Sequence, residues 1–164
     1  MVIKKMRAEK ILIRSARIED AESIQKLVNQ YSEKGLMIKK SLSEIYENIR
    51  DYFVCEKKGE LIGTCCLKIY WRDLAEICSL AVKKKETKKG TGTLLVTHII
   101  EEAKNMGISS LFALTYVPDF FKANGFKKID KSKLPQKVWG ECIKCHKFPI
   151  CDEIAMARKI SRKG

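Results

Sequence analysis

The chain has no apolar run that approaches the eighteen or so residues needed to cross a bilayer as a helix. Its first residues, MVIKKMRAEKILIR, contain no continuous apolar segment of the kind that a secretory signal requires. Internal repeats and low-complexity linkers are also missing. These absences argue against a membrane or secreted protein, and we expect a cytoplasmic protein without a membrane partner.

Aromatic and basic residues do not interleave in the way that is typical of single-strand nucleic-acid binders. The chain nevertheless has 33 Lys and Arg against 20 Asp and Glu, which gives a formal net charge of +13 at pH 7. Such a charge attracts nucleic acid, anionic lipid or small polyanions. Because the lysines are spread along the sequence, we expect most of them to form a solvated surface. Nucleic acid is therefore not favoured as a partner.

Length and periodicity predict one mixed α/β domain. The 164 residues, 45% of them apolar, suit a single domain over residues 1–164 with a substantial core. Periodicity, turn residues and helix caps predict the order β-α-α-β-β-β-α-β-α-β. Three strands follow one another without a helix, so the fold is not a regular alternation of strands and crossover helices. We expect a mixed central sheet with flanking helices.

Several elements have specific signals. Residues 41–44, SLSE, form a capping-box pattern that predicts the start of the second helix. Residues 74–82, LAEICSLAV, and 110–116, SLFALTY, are predicted strands. Between these strands apolar residues recur at helical spacing and end at a glycine, Gly107. The members of this stripe are Leu94, Leu95, His98, Ile99, Ala103 and Met106.

The seven cysteines fall into two groups. Four lie in apolar, strand-like stretches, where we expect them to be small core residues. These four are Cys55, Cys65, Cys66 and Cys78. The other three lie together in a C-terminal segment at about 135–152, beside His146.

The C-terminal group contains the spelling Cys142-Ile-Lys-Cys145-His146, which matches covalent haem attachment. We discount haem because that chemistry takes place outside the cytoplasm and no signal peptide is present. Zinc would find candidate ligands in Cys142, Cys145, Cys151 and His146. The adjacency of Cys145 and His146 is awkward for one tetrahedral ion. We therefore expect no metal and a structural or redox cluster, with zinc as the alternative.

Residues 83–95, KKKETKKGTGTLL, place a glycine-bearing loop between a strand and a helix. Free N–H groups at a helix N-terminus attract anions, glycines admit a pyrophosphate close to the main chain, and lysines add positive charge. No Lys-Ser/Thr follows Gly92, which excludes a Walker loop, and Leu95 takes the place of a dinucleotide fingerprint's third glycine. We predict a polyphosphate site, with a flexible turn as the alternative.

The succession LAEICSLAV, TKKGTG, a helix, LFALTY and FFKANGF resembles the GNAT superfamily of N-acetyltransferases over nearly the whole chain. In that family the loop Gln/Arg-x-x-Gly-x-Gly/Ala binds the pyrophosphate of acetyl-CoA. The first motif position departs here, because Thr87 replaces Gln or Arg. The motif falls on Thr87, Lys88, Lys89, Gly90, Thr91 and Gly92. The resemblance also implies that main-chain groups of Leu80, Ala81 and Val82 contact the pantetheine arm and the acetyl carbonyl.

Longer stretches narrow the resemblance. EKGLMIKKSLSEIYENIRDYFV, LFALTYVPDFFKANGF and KLPQKVWGECIKCHKFPICDEIAM are similar to the acetyltransferase domain of N-acetylglutamate synthases. The resemblance implies a single-domain enzyme that transfers the acetyl group of acetyl-CoA to the α-amine of L-glutamate, for arginine biosynthesis. Acetylation of another amino acid or of a protein amine stays open, as does a non-catalytic module that binds coenzyme A. A homodimer also stays open.

Amine acetylation needs a base, a polarised thioester carbonyl and a route for the departing thiolate. Glu76 is the predicted base, because it takes the position of the glutamate that many GNAT enzymes carry on this strand. Its apolar neighbours predict burial and a raised pKa. In many GNAT enzymes a tyrosine that can act as the general acid takes the position that Phe121 has in this chain. Tyr116 is therefore our candidate acid, with a core aromatic as the alternative, and the thiolate could also leave without an acid.

A glutamate acceptor would bring two carboxylates that need cations. Lys39, Lys40 and Ser41 lie just before the second predicted helix, where related enzymes often have arginine. Lysine provides a point charge in place of the paired bonds of arginine. Arg72, just ahead of the Glu76 strand, is a further candidate for substrate binding. Ordinary solvated cations are the alternative for each of these positions.

Overall fold

The computed structural model describes residues 10–135 and 152–161. Seven strands form one sheet: β1 (Ile11–Ser15), β2 (Tyr52–Lys57), β3 (Glu60–Trp71), β4 (Leu74–Val82), β5 (Ser110–Thr115), β6 (Lys127–Ile129) and β7 (Ile154–Lys159). Their order in space is β1-β2-β3-β4-β5-β7-β6. β4 and β5 pair in parallel, whereas the other neighbouring strands pair antiparallel. The predicted mixed sheet with flanking helices is confirmed.

Within the described residues the sheet is covered by four α-helices: α1 (Ala21–Glu33), α2 (Leu42–Glu47), α3 (Thr91–Asn105) and α4 (Pro118–Ala123). The predicted cap of α2 is confirmed, because the Ser41 side chain accepts a hydrogen bond from the Glu44 N–H at 3.1 Å. Helix α1 packs on one face of the central strands and α3 on the other. The sheet is therefore buried on both faces near its centre.

Alternation along the strands separates the two cores. Cys55 and Cys65 lie among the side chains that pack against α3, whereas Cys66 lies on the side of α1. These three are buried, as predicted. Cys78 differs from the prediction, since it stays partly exposed. The reason is its position on β4 beside an opening in the sheet, described below.

The buried stripe of α3 is rotated relative to the predicted one. Leu94 is 44% exposed and Met106 is 60% exposed, so these two members of the apolar stripe do not face the core. The side chains that face the sheet instead are Thr91, Leu95, Val96, Ile99, Ile100 and Ala103. Which side of an apolar helix faces the sheet is set by the sheet itself, and Leu94 and Val96 are equally apolar on the sequence.

Strand β6 was missing from the predicted order. It has three residues, Lys127–Ile129, and two of them are exposed lysines, so its sequence shows neither an apolar run nor alternation. Pairing with β7 creates it. Among the described residues no helix is both long and apolar enough to pass through a membrane.

Candidate active site

The sheet opens between β4 and β5. Their parallel pairing covers Leu74–Glu76 against Ser110–Phe112, although β4 continues to Val82 and β5 to Thr115. Beyond Glu76 this edge of β4 has no neighbouring strand among the described residues. Its main-chain groups are therefore available to a ligand that lies in the opening.

A bulge in β4 lies at the start of the opening. Cys66 pairs with Cys78 and Thr64 with Ala81, so β4 has one more residue than β3 between these two pairs. Ser79 lies within the bulge and has a φ of 50°. Residues other than glycine rarely adopt such a value, and strained backbone is common at functional sites. The bulge changes the direction in which main-chain groups of β4 point into the opening.

The opening forms a cleft of about 230 Å³. Apolar side chains from the loop before α2, from β4, from β5 and from α4 cover much of its wall. A few ionisable groups also line the wall. They include Lys40, Lys68, Glu76, Tyr116 and Glu153. A cleft that combines apolar walls with a few convergent polar groups is typical of a small-molecule site.

Glu76 lies on β4 where the pairing with β5 ends. Its carboxylate accepts a hydrogen bond from the Tyr70 hydroxyl, with 3.2 Å between Tyr70 Oη and Glu76 Oε1. Tyr70 is itself buried, and its ring packs against Phe112. Burial raises the pKa of Glu76 to about 7, against the lowering effect of the Tyr70 hydrogen bond. The group can therefore exchange a proton near neutral pH.

Two lysines flank this carboxylate. Lys68 on β3 is directly opposite Glu76 in the ladder, so both side chains are on one face of the sheet. The Lys68 ammonium also lies 5.3 Å from the centre of the Tyr70 ring. Burial is the main influence on the Glu76 pKa, and Lys68 and Lys40 lower that pKa while Glu153 raises it. The charges at this end of the cleft are therefore coupled.

The glycine loop lies beyond the end of β4, at the start of α3. Gly90 has a φ of 85° and is the last residue before the helix. The Leu94 N–H donates to the Gly90 carbonyl at 3.0 Å. The amides of Thr91, Gly92 and Thr93 precede this first helical hydrogen bond, so within the described part of the chain they have no helical partner and can bind an anion.

Space around the loop is restricted on one side. A Cβ added at Gly92 would lie 3.2 Å from the ring of Phe120, closer than ordinary van der Waals contact. The buried Thr91 hydroxyl oxygen has no hydrogen-bond partner within the part of the chain that the structure describes. Thr87, in the position of the usual Gln or Arg, donates its hydroxyl proton to the Lys84 carbonyl at 2.7 Å. The loop therefore combines main-chain donors at the start of α3 with a glycine, Gly92, at which even one added carbon is crowded.

Lys88 and Lys89, which precede Gly90, are both exposed, and Lys89 also forms an ion pair with the protein. Lys89 lies 3.8 Å from a carboxylate oxygen of Glu86. Glu86 is only 6% exposed and also pairs with Lys57 at 3.3 Å. Lys88 has a φ of 63°, which places its side chain on an irregular turn. These contacts hold the loop in front of α3 while its charge stays at the surface.

The main-chain positions predicted for the pantetheine arm lie along the opening. Leu80 lines the cleft. Ala81 is 1% exposed and belongs to the core on the side of α1. The carbonyl of Val82 accepts a hydrogen bond from the Tyr31 hydroxyl at the C-terminal end of β4. The three residues thus join the Glu76 region to the glycine loop.

Tyr116 follows β5 and lines the same cleft as Glu76. Its hydroxyl donates a hydrogen bond to Asp152 Oδ1 at 2.7 Å. Phe121 also lines the cleft, is 4% exposed and carries no proton that it could donate. Tyr116 therefore provides an aromatic hydroxyl in the cleft wall, and its hydrogen bond to Asp152 fixes the orientation of that hydroxyl.

The predicted substrate-binding residues are separated in space. Lys40 lines the cleft, and its backbone is held by Asn29 through hydrogen bonds of 3.1 Å in both directions. Lys39 is exposed and does not line the cleft. The Ser41 hydroxyl is used as the cap of α2. Arg72 is exposed in the turn between β3 and β4, also outside the cleft wall.

The C-terminal cysteine group, Cys142, Cys145 and Cys151 with His146, lies outside the described residues, so its predicted character stays a prediction. Over residues 10–135 and 152–161, no group of three or more His, Cys, Asp or Glu side chains is arranged to hold a metal ion.

Sequence reasoning missed Tyr70 and Lys68. Both lie on β3, and the sequence there, LKIYW, reads as an ordinary hairpin strand. Their link to Glu76 depends on the register between β3 and β4. A weak signal existed, because a tight turn at Arg72 and Asp73 brings the residues on either side of it together.

Comparison with known proteins is consistent with this geometry. Residues 19–126 match the model of the acetyltransferase (GNAT) family. An uncharacterized N-acetyltransferase of Chlorobaculum tepidum is 41% identical over 155 residues, which cover 94% of this chain and all of that protein. An amino-acid acetyltransferase of Mycobacterium tuberculosis is 28% identical, and the match covers 86% of this chain and 82% of that protein.

A solved structure gives a similar result. The N-acetylglutamate synthase of Neisseria gonorrhoeae, complexed with coenzyme A and N-acetyl-glutamate, superimposes with a TM-score of 0.86 at 27% identity. The match covers 95% of this chain and 36% of the synthase, so this chain spans about a third of that protein. The predicted fold, family and class of enzyme are confirmed. The chain belongs to the acetyltransferase (GNAT) family and is an N-acetyltransferase that uses acetyl-CoA as its co-substrate.

Proposed function

We propose that this enzyme transfers the acetyl group of acetyl-CoA to the α-amine of L-glutamate and so supplies N-acetyl-L-glutamate for arginine biosynthesis. The observation that carries the proposal is the charged group around Glu76 in the cleft wall. Burial raises the pKa of Glu76 to about 7, and two lysines that also line the cleft, Lys68 and Lys40, act on its charge. A base and two cations in one cavity suit an acceptor that has an amine and two carboxylates.

Glu76 is the base of the proposed reaction. The acceptor amine enters as an ammonium ion and must lose a proton before its nitrogen can attack. With a pKa of about 7, Glu76 is partly ionised at neutral pH and strong enough as a base to accept that proton, directly or through one water. Tyr70 holds one carboxylate oxygen. The other oxygen then remains for the amine.

The opening between β4 and β5 is the proposed acetyl-CoA site. The free amides at the start of α3 would bind the pyrophosphate, with Lys88 and Lys89 adding charge. The pantetheine arm would lie along the edge of β4 next to Leu80, Ala81 and Val82, whose ladder to β5 is missing. Main-chain N–H groups at the Ser79 bulge would polarise the acetyl carbonyl as negative charge develops on its oxygen.

Recognition of the acceptor is assigned to the cations of the cleft. Lys40 and Lys68 both line the wall near Glu76 and would each attract one carboxylate of glutamate. Ser41 is used as the cap of α2 and Lys39 is exposed outside the cleft wall, so we assign neither of them a direct contact with the acceptor. We assign Arg72 no direct contact, since it lies in an exposed turn outside the cleft wall.

Tyr116 is the proposed proton donor to the departing thiolate. It lies on the wall opposite β4, and its hydroxyl proton is directed at Asp152 over 2.7 Å. A proton that is hydrogen-bonded to a carboxylate is less available to a thiolate, so we expect the contribution of Tyr116 to the rate to be small. Replacement by phenylalanine should lower kcat by no more than about tenfold, below the usual effect of a general acid.

A thiol-release assay with acetyl-CoA and a panel of amines tests the function. The panel contains glutamate, glutamine, aspartate, leucine and a short peptide with a free N-terminus. We expect glutamate to give the highest kcat/KM, and mass spectrometry to find one acetyl group on its nitrogen. A higher kcat/KM with glutamine or leucine would contradict the assignment of two carboxylates to two lysines. A preference for the peptide would indicate a protein substrate.

A further inference from the structure

Two cysteines face each other beside the cleft, and the proposed reaction does not use them. Cys66 of β3 and Cys78 of β4 are directly opposite in the antiparallel ladder. The Cys78 thiol donates to the Cys66 carbonyl oxygen at 3.7 Å. Opposed residues in such a ladder have Cα atoms about 4.5–5.5 Å apart, a separation that a disulfide spans. The register therefore brings the two side chains into the range that a disulfide bridges.

The side chains as well as the main chains are close. The pKa of the Cys78 thiol is raised well above its usual range. The main cause is a hydrogen bond with the Cys66 side chain, and burial is the second. An interaction of that kind acts between neighbouring side chains, so it agrees with the ladder register. Both thiols are free.

The two thiols differ in access. Cys78 lines the cleft and is partly exposed. Cys66 is 5% exposed and belongs to the core beneath α1. Cys55 and Cys65 are fully buried on the other face of the sheet. A reagent in the cleft therefore meets Cys78 first, and Cys66 can react next only with a group attached to Cys78.

The position of Cys78 matches the reactive end of coenzyme A, if that molecule lies as the proposed function requires. Cys78 is two residues from Glu76 and four residues before Val82, which is about 13 Å along a strand. A pantetheine arm that starts at the glycine loop and follows this edge ends beside both Glu76 and Cys78. We propose that Cys66 and Cys78 form a dithiol site that is oxidised by coenzyme A disulfide, with Cys78 as the attacking thiol.

The reaction has two thiol–disulfide exchanges. The Cys78 thiol first gives up its proton, a step that its raised pKa makes slower at neutral pH and faster as the pH rises. The thiolate then attacks one sulfur of coenzyme A disulfide, the S–S bond of the reagent breaks, and one coenzyme A leaves as a thiolate that takes up a proton. The Cys66 thiolate then attacks the Cys78 sulfur of the mixed disulfide, and the second coenzyme A leaves with the Cys66 proton. The protein loses two electrons and two protons, and the disulfide is reduced to two thiols.

Peptide mapping of the full chain tests the site. The reduced protein is incubated with coenzyme A disulfide, alkylated and cleaved with trypsin without reductant. Cleavage after lysine and arginine places Cys65 and Cys66 in residues 59–68 and Cys78 in residues 73–83. We expect these two peptides joined by a disulfide, preceded in time by residues 73–83 carrying one coenzyme A. Cysteines of the C-terminal segment lie in other peptides and do not affect this readout.

Single substitutions identify the atoms. Cys66→Ser should stop the reaction at the coenzyme A adduct of residues 73–83, whereas Cys78→Ser should give neither adduct nor joined peptides. Cys65→Ser is the matched control, because Cys65 is in the same peptide but on the other face of the sheet. It should leave the joined peptides unchanged. Glutathione disulfide at equal concentration should react more slowly by on the order of tenfold or more, since it lacks the groups that bind the loop.

The wild-type protein alone can overturn the proposal. Absence of both the adduct and the joined peptides would do so, and so would an equal rate with glutathione disulfide. An acetylation assay on the reduced protein separates the two proposals. Joined peptides without acetylation of glutamate would contradict glutamate as the acceptor, while the proposal of a dithiol site would stand. Acetylation of glutamate without any reaction of Cys78 would contradict the dithiol site, while the proposal of glutamate as the acceptor would stand.

Discussion

The Tyr70 hydroxyl donates a hydrogen bond to Glu76 Oε1 over 3.2 Å, from the strand that pairs with the strand of Glu76. This bond stabilises the ionised form of the carboxylate and so opposes the effect of burial, which favours the protonated form. The two effects, together with the nearby lysines, leave the pKa at about 7. Tyr70 therefore tunes the pKa of the proposed base although it is not among the residues that line the cleft.

The first prediction concerns pH. The rate constant kcat/KM should rise with increasing pH through about pH 7, as Glu76 loses its proton. Tyr70→Phe removes a hydrogen bond that lowers the Glu76 pKa, so the rise should move to higher pH. The measurement is the pH profile of thiol release. Tyr46→Phe, an exposed tyrosine of α2, is the control and should leave the profile unchanged. A Tyr70→Phe profile that coincides with wild type would contradict this role.

Replacement of the base should trade activity for stability. Glu76→Gln should lower kcat by about 100- to 10,000-fold, since the amine loses its proton acceptor. In the folded wild-type protein the pKa of Glu76 is raised from 4.5 to about 7. Between these values the folded state holds more protons than the unfolded state, so stability falls as pH rises through this window. At pH 8 the substitution should raise the free energy of unfolding by about 2 kcal/mol, allowing for partial solvent exposure.

Urea denaturation at two pH values measures this effect. The gain should be present at about pH 8 and absent at about pH 4, where Glu76 is protonated in both states. Glu60→Gln is the control. Lys83 and Lys85 lower the pKa of Glu60 through hydrogen bonds, so its removal should bring no gain. A stability change for Glu76→Gln that is equal at both pH values would indicate packing in place of ionisation.

Acceptor recognition predicts a difference among three lysines. Lys40→Met and Lys68→Met should each raise the KM for glutamate by about 10- to 100-fold, the effect of losing one hydrogen bond to a charged group. Lys39→Met is the control, because Lys39 is exposed outside the cleft wall. The kinetics should be measured at about pH 8.5, where loss of a lysine no longer changes the fraction of ionised Glu76. Equal effects of all three substitutions would indicate general electrostatic attraction.

The glycine loop predicts a change in acetyl-CoA binding. Gly90 and Gly107 both have a φ of 85°, and a Cβ at either position would meet nothing within 4 Å. Alanine at each should cost a similar 1–2 kcal/mol or so of stability from backbone strain. Only Gly90→Ala should also raise the KM for acetyl-CoA, because only that strain distorts the amides at the start of α3. A change in KM with Gly107→Ala of the same size would contradict the loop's role.

Much of the fold was readable from the sequence. The strand at 74–82, the loop after it and the cap at Ser41 were predicted where the structure has them. Their signals are local: an apolar run, glycines, and a serine three residues before a glutamate. The short strand β6 was not readable, because it exists through its pairing with β7. The orientation of α3 was not readable for a similar reason.

The sequence by itself determined the family, the position of the glycine loop and the choice of Glu76 as a candidate base, because each depends on residues close together in the chain. The surroundings of Glu76 were decided by tertiary structure. If the pairing continued regularly from Trp71 and Leu74, Ile69 would lie opposite Glu76. An irregularity between Ile69 and Trp71 shifts the register, so that Lys68 lies opposite Glu76 instead. A shift of one residue exchanges an apolar side chain for a cation at the base. Such a shift arises from packing across the sheet, which no local pattern encodes.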